Sequence, residues 1–410
     1  MYLLFAPEKR FGQLPPKAPL LSEEVLFTNN VAYCPKYFWK KHHILQGCID
    51  ISPHWMRRAR KKRQLHNILF ITGGGIGDIL WTMPFMKAVR QKYPRSRILV
   101  ATEEKRMPLF LGVPYADTCV KDEYWNLQAL IRNANEVYDF GGIATMLQKE
   151  MKLDPIDATF LDGELPKPDN RKDCRPMLVV TIDEGKQAEA LLRRHGANPK
   201  TDKIITFALE ASTPNRNWPY SYTRILTDRL IKEGYKVVWL SEEKNFGDTF
   251  FCSCECGWEF NITTKTIPEN LSYKCGACGK ENTIAELKQP KGVVNLAGKT
   301  NLRQAMAVIA LSDVFVGPNS GLMVIATALE IPTIGLFGAF NPKIRTKYYD
   351  RFVYIWGNIE CAPCKEHWTE CPKGHPAPCM KIITPDMVDG KIKELLQRYP
   401  RHALERIPIE

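Results

Sequence analysis

No stretch of the 410 residues approaches the roughly 18 consecutive apolar residues that a membrane-spanning helix needs. The opening Met1-Tyr2-Leu3-Leu4-Phe5-Ala6-Pro7-Glu8-Lys9-Arg10 is too short and wrongly ordered for a secretory leader, so the expected location is cytoplasmic. Low-complexity tracts are lacking, and the only repeat-like feature is a pair of α/β halves. Acidic residues are the minority: 45 Asp and Glu stand against 57 Lys and Arg, for a net charge of +12. That balance favours an anionic partner, such as a nucleotide, a phosphorylated glycan, a membrane surface or nucleic acid. The run Arg57-Arg58-Ala59-Arg60-Lys61-Lys62-Arg63 concentrates part of it, and a solvated basic linker accounts for that run equally well.

What is present describes an ordinary globular chain, 44% hydrophobic and 25% charged. Its length predicts two domains, with room for small additions. The 13 cysteines are unevenly spread. One group lies between Cys252 and Cys278 and another between Cys361 and Cys379, whereas Cys34, Cys48, Cys119 and Cys174 stand alone. Short spacings in a reducing compartment point to metal rather than disulfides.

The chain is organised around the stretch from Ile68 to Pro84. A short apolar run breaks into Gly73-Gly74-Gly75-Ile76-Gly77-Asp78, then resumes as an amphipathic segment through Val89. This reads as a buried strand, a tight turn and a helix. Asp78 sits at the helix mouth. It can cap the first turn, or it can be a carboxylate presented at a strand end, where open α/β sheets keep their sites.

Residues 1–65 form an aromatic-rich extension. From His66, strands and helices alternate, which predicts parallel sheets with right-handed crossovers. Strands are expected at 97–102, 118–120, 136–140 and 177–181, and helices at 106–111, 125–134 and 185–195. Residues 150–176 are weakly patterned. A hinge is expected near 197–203. A second series then begins with a strand at 202–209, a helix at 221–233 and a strand at 236–240. An insertion at 250–287 interrupts it. It resumes with strands at 293–296, 314–316 and 333–337, helices at 302–311 and 322–329, and a closing helix at 385–399.

Two separated motifs in this order resemble glycosyltransferase family 9, the ADP-heptose:lipopolysaccharide heptosyltransferases. The first is Ile68–Ile71, Gly75-Ile76-Gly77-Asp78-Ile79-Leu80, Pro84, Arg90 and Tyr93-Pro94. The second is Asn295–Thr300, Ser312-Asp313, Gly317-Pro318-Asn319-Ser320-Gly321-Leu322-Met323, Pro332-Thr333, Leu336-Phe337-Gly338 and Asn341-Pro342. The similarity covers about residues 66–395 outside the insertion. Two motifs in register are far more specific than one glycine loop.

The resemblance implies an α/β GT-B fold, two Rossmann-like lobes facing across a cleft, and the cysteines of a small insertion (250–287) in the second read as a zinc ribbon. The expected acceptor lobe is 66–196 and the donor lobe 197–400. It also implies inverting transfer from a nucleotide-diphosphate sugar, with Asp78 as the base that deprotonates the acceptor hydroxyl. Gly75 and Gly77 shape the acceptor-side loop. Arg216, before Trp218-Pro219, falls where the family places a cation for the donor phosphate. Asn319, Ser320, Gly321 and Leu322 open a helix whose N–H groups face the diphosphate. Glu242 or Glu243 is the candidate for the ribose hydroxyls. The family pattern Asp-Ser-Gly-Leu-Met-His is broken here by Asn319 and Val324, which puts the identity of the donor sugar in doubt.

In the insertion, Cys275-Gly-Ala-Cys278-Gly reads as a zinc knuckle, and a second arm comes from two of Cys252, Cys254 and Cys256, with Cys254 and Cys256 preferred. Four thiolates make a closed, structural zinc site. Cys361, Cys364, Cys371 and Cys379 form a second set, which resembles cysteine sets in metal-carrying members of the family. A structural zinc or iron is expected there, with free thiols as the alternative reading and His367 and His375 as spare ligands. No catalytic metal is expected. The acceptor is expected to be an anionic glycan, a lipid-linked saccharide or a protein, with peripheral membrane contact. The competing reading is a nucleic-acid- or protein-binding adaptor built on the same scaffold, using the zinc ribbon and the basic segment.

Overall fold

The computed structural model describes residues 66–141, 152–242, 272–283 without 277, 290–364, 371, 373 and 377–400, and backbone strands at 2–5, 26–28, 31–34, 249–253 and 259–263. The strands β1 (Tyr2–Phe5), β2 (Leu26–Thr28) and β3 (Val31–Cys34) pair as a small antiparallel sheet in the order β1-β3-β2. The basic run 57–63 lies outside the described residues.

The first α/β series contains β4 (Asn67–Thr72), helix α1 (Ile76–Lys92), β5 (Arg97–Thr102), β6 (Thr118–Lys121), α2 (Tyr124–Asn133) and β7 (Glu136–Phe140). All four strands are parallel, in the order β6-β5-β4-β7. Residues 104–110 wind as a 3₁₀ helix. Two further helices follow, α3 (Pro155–Asp162) and α4 (Ile182–Arg194).

The second series contains β8 (Ile204–Ala208), α5 (Tyr220–Lys232) and β9 (Lys236–Leu240). Next come two antiparallel hairpins, β10 (Thr249–Ser253) with β11 (Glu259–Thr263), and β12 (Ser272–Lys274) with β13 (Glu281–Thr283). The series resumes with β14 (Val294–Asn295), α6 (Leu302–Ala310), β15 (Val314–Pro318), α7 (Gly321–Ala328), β16 (Thr333–Phe337), β17 (Phe352–Trp356), α8 (Pro378–Lys381) and α9 (Pro385–Arg398). Its six parallel strands run β14-β9-β8-β15-β16-β17. Numbered from β8, this is the 3-2-1-4-5-6 order of a dinucleotide-binding sheet, and the first sheet shows the 3-2-1-4 part of it. Each sheet therefore reverses direction beside its first strand: between β4 and β7, and between β8 and β15. Open α/β sheets bind ligands at the carboxyl ends of the strands at such points.

The helix α1 departs from the expected amphipathic pattern. Its residues Ile79 through Met86 are all buried, with Val89 beyond them. The reason is tertiary: α3 and α7 occupy the side that solvent would otherwise wet. The core is correspondingly continuous, joining Phe70, Phe85 and Phe160 with Met323, Val324 and Phe337.

Residues 177–181 form no strand, contrary to expectation. No neighbouring strand pairs with them; instead the Val179 carbonyl accepts 2.8 Å from Arg303 Nη2. The weakly patterned stretch conceals α3, capped by Asp154, whose Oδ1 accepts from the Ile156 N–H at 2.9 Å, with Pro155 at the first helical position. No described helix is long and apolar enough to cross a membrane.

Candidate functional site

Each sheet's reversal point carries one of the two motifs. At the first, β4 runs into Gly73-Gly74-Gly75, and Gly74 turns with φ +87°. The Gly75 N–H donates 2.8 Å to Asp78 Oδ2, so the carboxylate does cap α1 from inside its first turn. Capping and catalysis are compatible, because the cap occupies one oxygen and fixes the other.

At the second reversal point, the segment after β8 brings Arg216 to the loop after β15. Arg216 Nη1 donates 2.9 Å to the Asn319 carbonyl, and Nε donates 2.6 Å to Thr213 Oγ1. A further bond joins Nη2 to Ser212 Oγ. The guanidinium carbon lies 5.7 Å from the centre of the Phe340 ring. Burial lowers the Arg216 pKa, and the Asp78 charge opposes that shift. The two residues singled out from opposite halves of the chain thus face each other electrostatically.

Asn319 is 4% exposed, and its Nδ2 is buried without a partner, as is the Ser320 hydroxyl. Ser320 precedes α7 in extended conformation (φ −142°) and its side chain makes no capping bond, so it is not serving as the helix cap. Donors left unpaired beside a cation and a helix start suit a ligand rich in acceptor oxygens. Gly321 begins α7, with Leu322 half-buried behind it. A Cβ on Gly77 would meet Val324 Cγ2 at 3.4 Å. Val324, which stands where the family pattern has His, is 1% exposed and packs between the lobes.

Glu242 is exposed beyond β9. Nearer the reversal point, the half-buried Glu210 accepts a short bond from Ser241 Oγ. Glu243 lies outside the described residues.

Arg345, which the sequence did not single out, lies beside Arg216 at the Phe340 ring. It is 8% exposed and stacks 4.4 Å from the Phe340 ring centre and 5.5 Å from Trp81. Burial pushes its pKa down to about 10; Asp78 counters this and Arg216 adds to it. No periodicity or spacing marks Arg345, and the aromatic pair that holds it comes from both lobes.

Around the cleft, cross-lobe contacts fix the geometry. Trp81 Nε1 donates 2.9 Å to Tyr349 Oη in a buried setting. Arg303 on α6 donates 2.6 Å from Nε to Glu184 Oε1 and 3.2 Å from Nη1 to the Pro108 carbonyl. Asp157 on α3 accepts from Lys167 and Lys347 at 2.6 Å each.

The cysteines fall into two settings. Between β12 and β13, the Cys278 N–H donates 3.4 Å to Cys275 Sγ, and Gly279 N–H donates 2.9 Å to the Cys275 carbonyl. Gly279 has φ +73°, and Cys275 is 2% exposed. Cys252 falls within β10, whereas Cys254 and Cys256 lie outside the described residues. At the carboxyl ends of β16 and β17, the Cys364 N–H donates 2.8 Å to the Ala339 carbonyl, and Cβ atoms on Gly338 and Gly357 would collide with Cys379. The Cys379 thiol is pushed up to about 11, first by burial, then by Cys364, Cys371 and Cys361. These sulfurs therefore feel one another. Electrostatic reach exceeds ligand spacing, however, and among the described residues no three His, Cys, Asp or Glu side chains converge closely enough to hold a metal. His367 and His375 lie outside the described residues.

Two parallel sheets with facing reversal points, each in the strand order of a dinucleotide-binding sheet, define a two-lobed α/β architecture. The family model for glycosyltransferase family 9 (heptosyltransferase) matches residues 273–375. The lipooligosaccharide heptosyltransferase 2 of Haemophilus influenzae is 30% identical over 357 residues, covering 85% of this chain and 91% of that one. The chain belongs to glycosyltransferase family 9. Among solved structures, the Escherichia coli ADP-heptose LPS heptosyltransferase II superposes with a TM-score of 0.56 at 20% identity, covering 81% of this chain and 99% of its own. The iron-containing dodecameric glycosyltransferase TibC from enterotoxigenic E. coli gives 0.52 at 14%, covering 82% and 77%. Both share the fold.

Proposed function

We propose that this glycosyltransferase moves a heptose, or a closely related sugar, from a nucleoside-diphosphate donor to a lipooligosaccharide-type acceptor with inversion. The observation that carries the reading is that the glycine turn bearing Asp78 packs against the turn that opens α7, a Cβ on Gly77 meeting Val324 Cγ2 at 3.4 Å and one on Gly321 meeting the Ile76 Cβ at 2.7 Å. Asp78 removes the proton from the acceptor hydroxyl as that oxygen bonds to the anomeric carbon. The bond to the diphosphate breaks on the opposite face. Arg216, Asn319, Ser320, Gly321 and Leu322 receive the charge that develops on the leaving group, in a partly desolvated site where such contacts are strong. Gly75 and Gly77 keep the acceptor side open, and Glu242 is the candidate for the ribose hydroxyls. Asn319 removes a charge from the family's pattern beside the donor, and Val324 replaces the family's imidazole with packing between the lobes, so the pocket is tuned to a sugar that needs neither. The reaction is assigned to the cytoplasm, with peripheral contact at an anionic membrane surface.

The test is transfer of label from a panel of nucleoside-diphosphate sugars to lipooligosaccharide by wild type and Asp78→Asn. Transfer by the wild type and its loss in the variant, with donor binding retained, are expected. Full activity in Asp78→Asn would overturn the base assignment. Salt-sensitive nucleic-acid binding with no sugar transfer would favour the adaptor reading instead.

The cysteines are read as structural metal sites. Zinc at Cys254, Cys256, Cys275 and Cys278 would close the double hairpin; the knuckle turn at Cys275–Gly279 supports this. Zinc or iron at Cys361, Cys364, Cys371 and Cys379 suits four soft sulfur donors. Such a metal would brace the strand-end loop that carries Phe340. Elemental analysis should find two metals per chain; none would remove both assignments.

A further inference from the structure

Arg345 is a buried cation with no role in the family pattern quoted above. A buried guanidinium normally sits against a carboxylate, because an unpaired charge away from water is expensive. Here no carboxylate of the described residues makes an ion pair with it, and its close neighbours are aromatic faces. The guanidinium carbon is 4.4 Å from the Phe340 ring centre and 5.5 Å from Trp81. Its Nε is buried without a hydrogen-bond partner, and the residue is 8% exposed. Arg216 shares the same Phe340 ring at 5.7 Å, so one aromatic side chain serves two like charges. The charge of Asp78 acts on both guanidiniums, but one carboxylate against two cations leaves a net positive charge for an anion to meet.

The other unpaired groups nearby are of matching kind. Arg216 binds the Asn319 carbonyl, which ties this pair to the buried and unpartnered Asn319 Nδ2 and Ser320 Oγ. Arg345 Nε and Asn319 Nδ2 can only donate, and the hydroxyl can. A ligand that completes all of them carries several acceptor oxygens and at least two negative charges.

We propose that Arg345 and Arg216, braced by Phe340, form a two-arginine clamp on the diphosphate of the donor nucleotide. The inference rests on the donor assignment made above and extends it to a residue from the loop after β16. Trp81, from the first lobe, forms the far wall of the clamp, so lobe docking and diphosphate capture become one event. Arg345 is a binding residue here, and Asp78 keeps the proton transfer.

The same diphosphate chemistry could be met by a phosphorylated acceptor, and binding experiments separate the two. Affinities of the full-length protein for ADP, UDP, GDP, inorganic pyrophosphate and the parent nucleosides are measured by calorimetry for wild type, Arg345→Gln and Arg345→Lys. Loss of one charged contact of this kind is worth about tenfold or more. The best nucleoside diphosphate and pyrophosphate should weaken by at least that factor in Arg345→Gln, with nucleoside affinity unchanged and with partial recovery in Arg345→Lys. Unchanged diphosphate affinity in Arg345→Gln, with KM raised only for a phosphorylated acceptor, would overturn the donor clamp in favour of an acceptor contact. Unchanged values throughout would overturn any clamp. If the wild type bound no nucleoside diphosphate, the donor assignment itself would fall, which is a different result. Arg345→Lys keeps the charge and most of the stem, so a folding defect in Arg345→Gln would leave the lysine variant to decide: a several-fold loss of diphosphate affinity with nucleoside affinity unchanged supports the clamp, and diphosphate affinity equal to wild type counts against it.

Discussion

A Cβ on Gly321 would lie 2.7 Å from the Cβ of Ile76. The first residue of α7 and the first residue of α1 thus meet backbone to side chain, and the two glycine turns found far apart in sequence form one junction between the lobes. Gly321→Ala should force the helices apart. Overpacking of this kind costs about 1–3 kcal/mol. Thermal denaturation should show the loss, and nucleotide affinity should fall with it, because the same turn presents Asn319 and Ser320.

Asp78 combines a cap with a proposed base, and the two roles can be separated. Asparagine keeps an oxygen for the Gly75 N–H, whereas alanine does not. Asp78→Asn should therefore melt close to wild type, and Asp78→Ala should lose about 1 kcal/mol. Both should lose about 10²–10⁴-fold in transfer rate. Differential scanning fluorimetry and turnover measured on the same preparations test the pair.

Arg303 and Glu184 tie α6 to α4, with side chains 12% and 19% exposed. The Arg303 bonds, followed by those from Thr181, hold the Glu184 carboxyl down at about 2. A depressed carboxyl stabilises the fold above its unfolded pKa, and that contribution fades as pH falls from about 4.5 towards 2. Solvent screening limits it to about 1 kcal/mol. Glu184→Gln should lower stability at pH 7 by that order and flatten the acid limb of the stability curve, measured by urea unfolding between pH 3 and 7.

Asp154 shows the opposite sign. Burial, only partly offset by the Ile156 N–H, raises its carboxyl to about 6. The folded state then holds the proton more tightly than the unfolded chain. The stabilisation is complete below about pH 4 and is lost as pH rises through 6. Asp154→Asn still caps α3 but cannot ionise. Relative to wild type it should gain on the order of 2 kcal/mol between pH 4 and 7.5. A constant difference across that range would contradict the assignment.

The alternation of strands and helices, both glycine turns, and the family were legible because each rests on local signals: apolar runs, turn glycines and motif spacing. The strand expected at 177–181 failed because a short apolar run does not reveal whether a partner strand is present. The helix Pro155–Asp162 was readable from Asp154-Pro155, a cap followed by proline at the first turn, but the polar surroundings obscured it.

The sequence alone determined the two α/β series and their order, since strand and helix periodicity and turn glycines leave a local imprint, whereas Asp78, Arg216 and Ser320 were singled out by the family resemblance. Only the tertiary structure decided that α1 is buried all round from Ile79 to Met86, that Val324 is a packing residue between lobes, and that Arg345 lies between Phe340 and Trp81. Those three depend on contacts between residues about 250 positions apart, such as Ile76 with Gly321 and Trp81 with Arg345. Packing across such separations follows from how the two sheets present their helices to each other, and no periodicity within one segment encodes it.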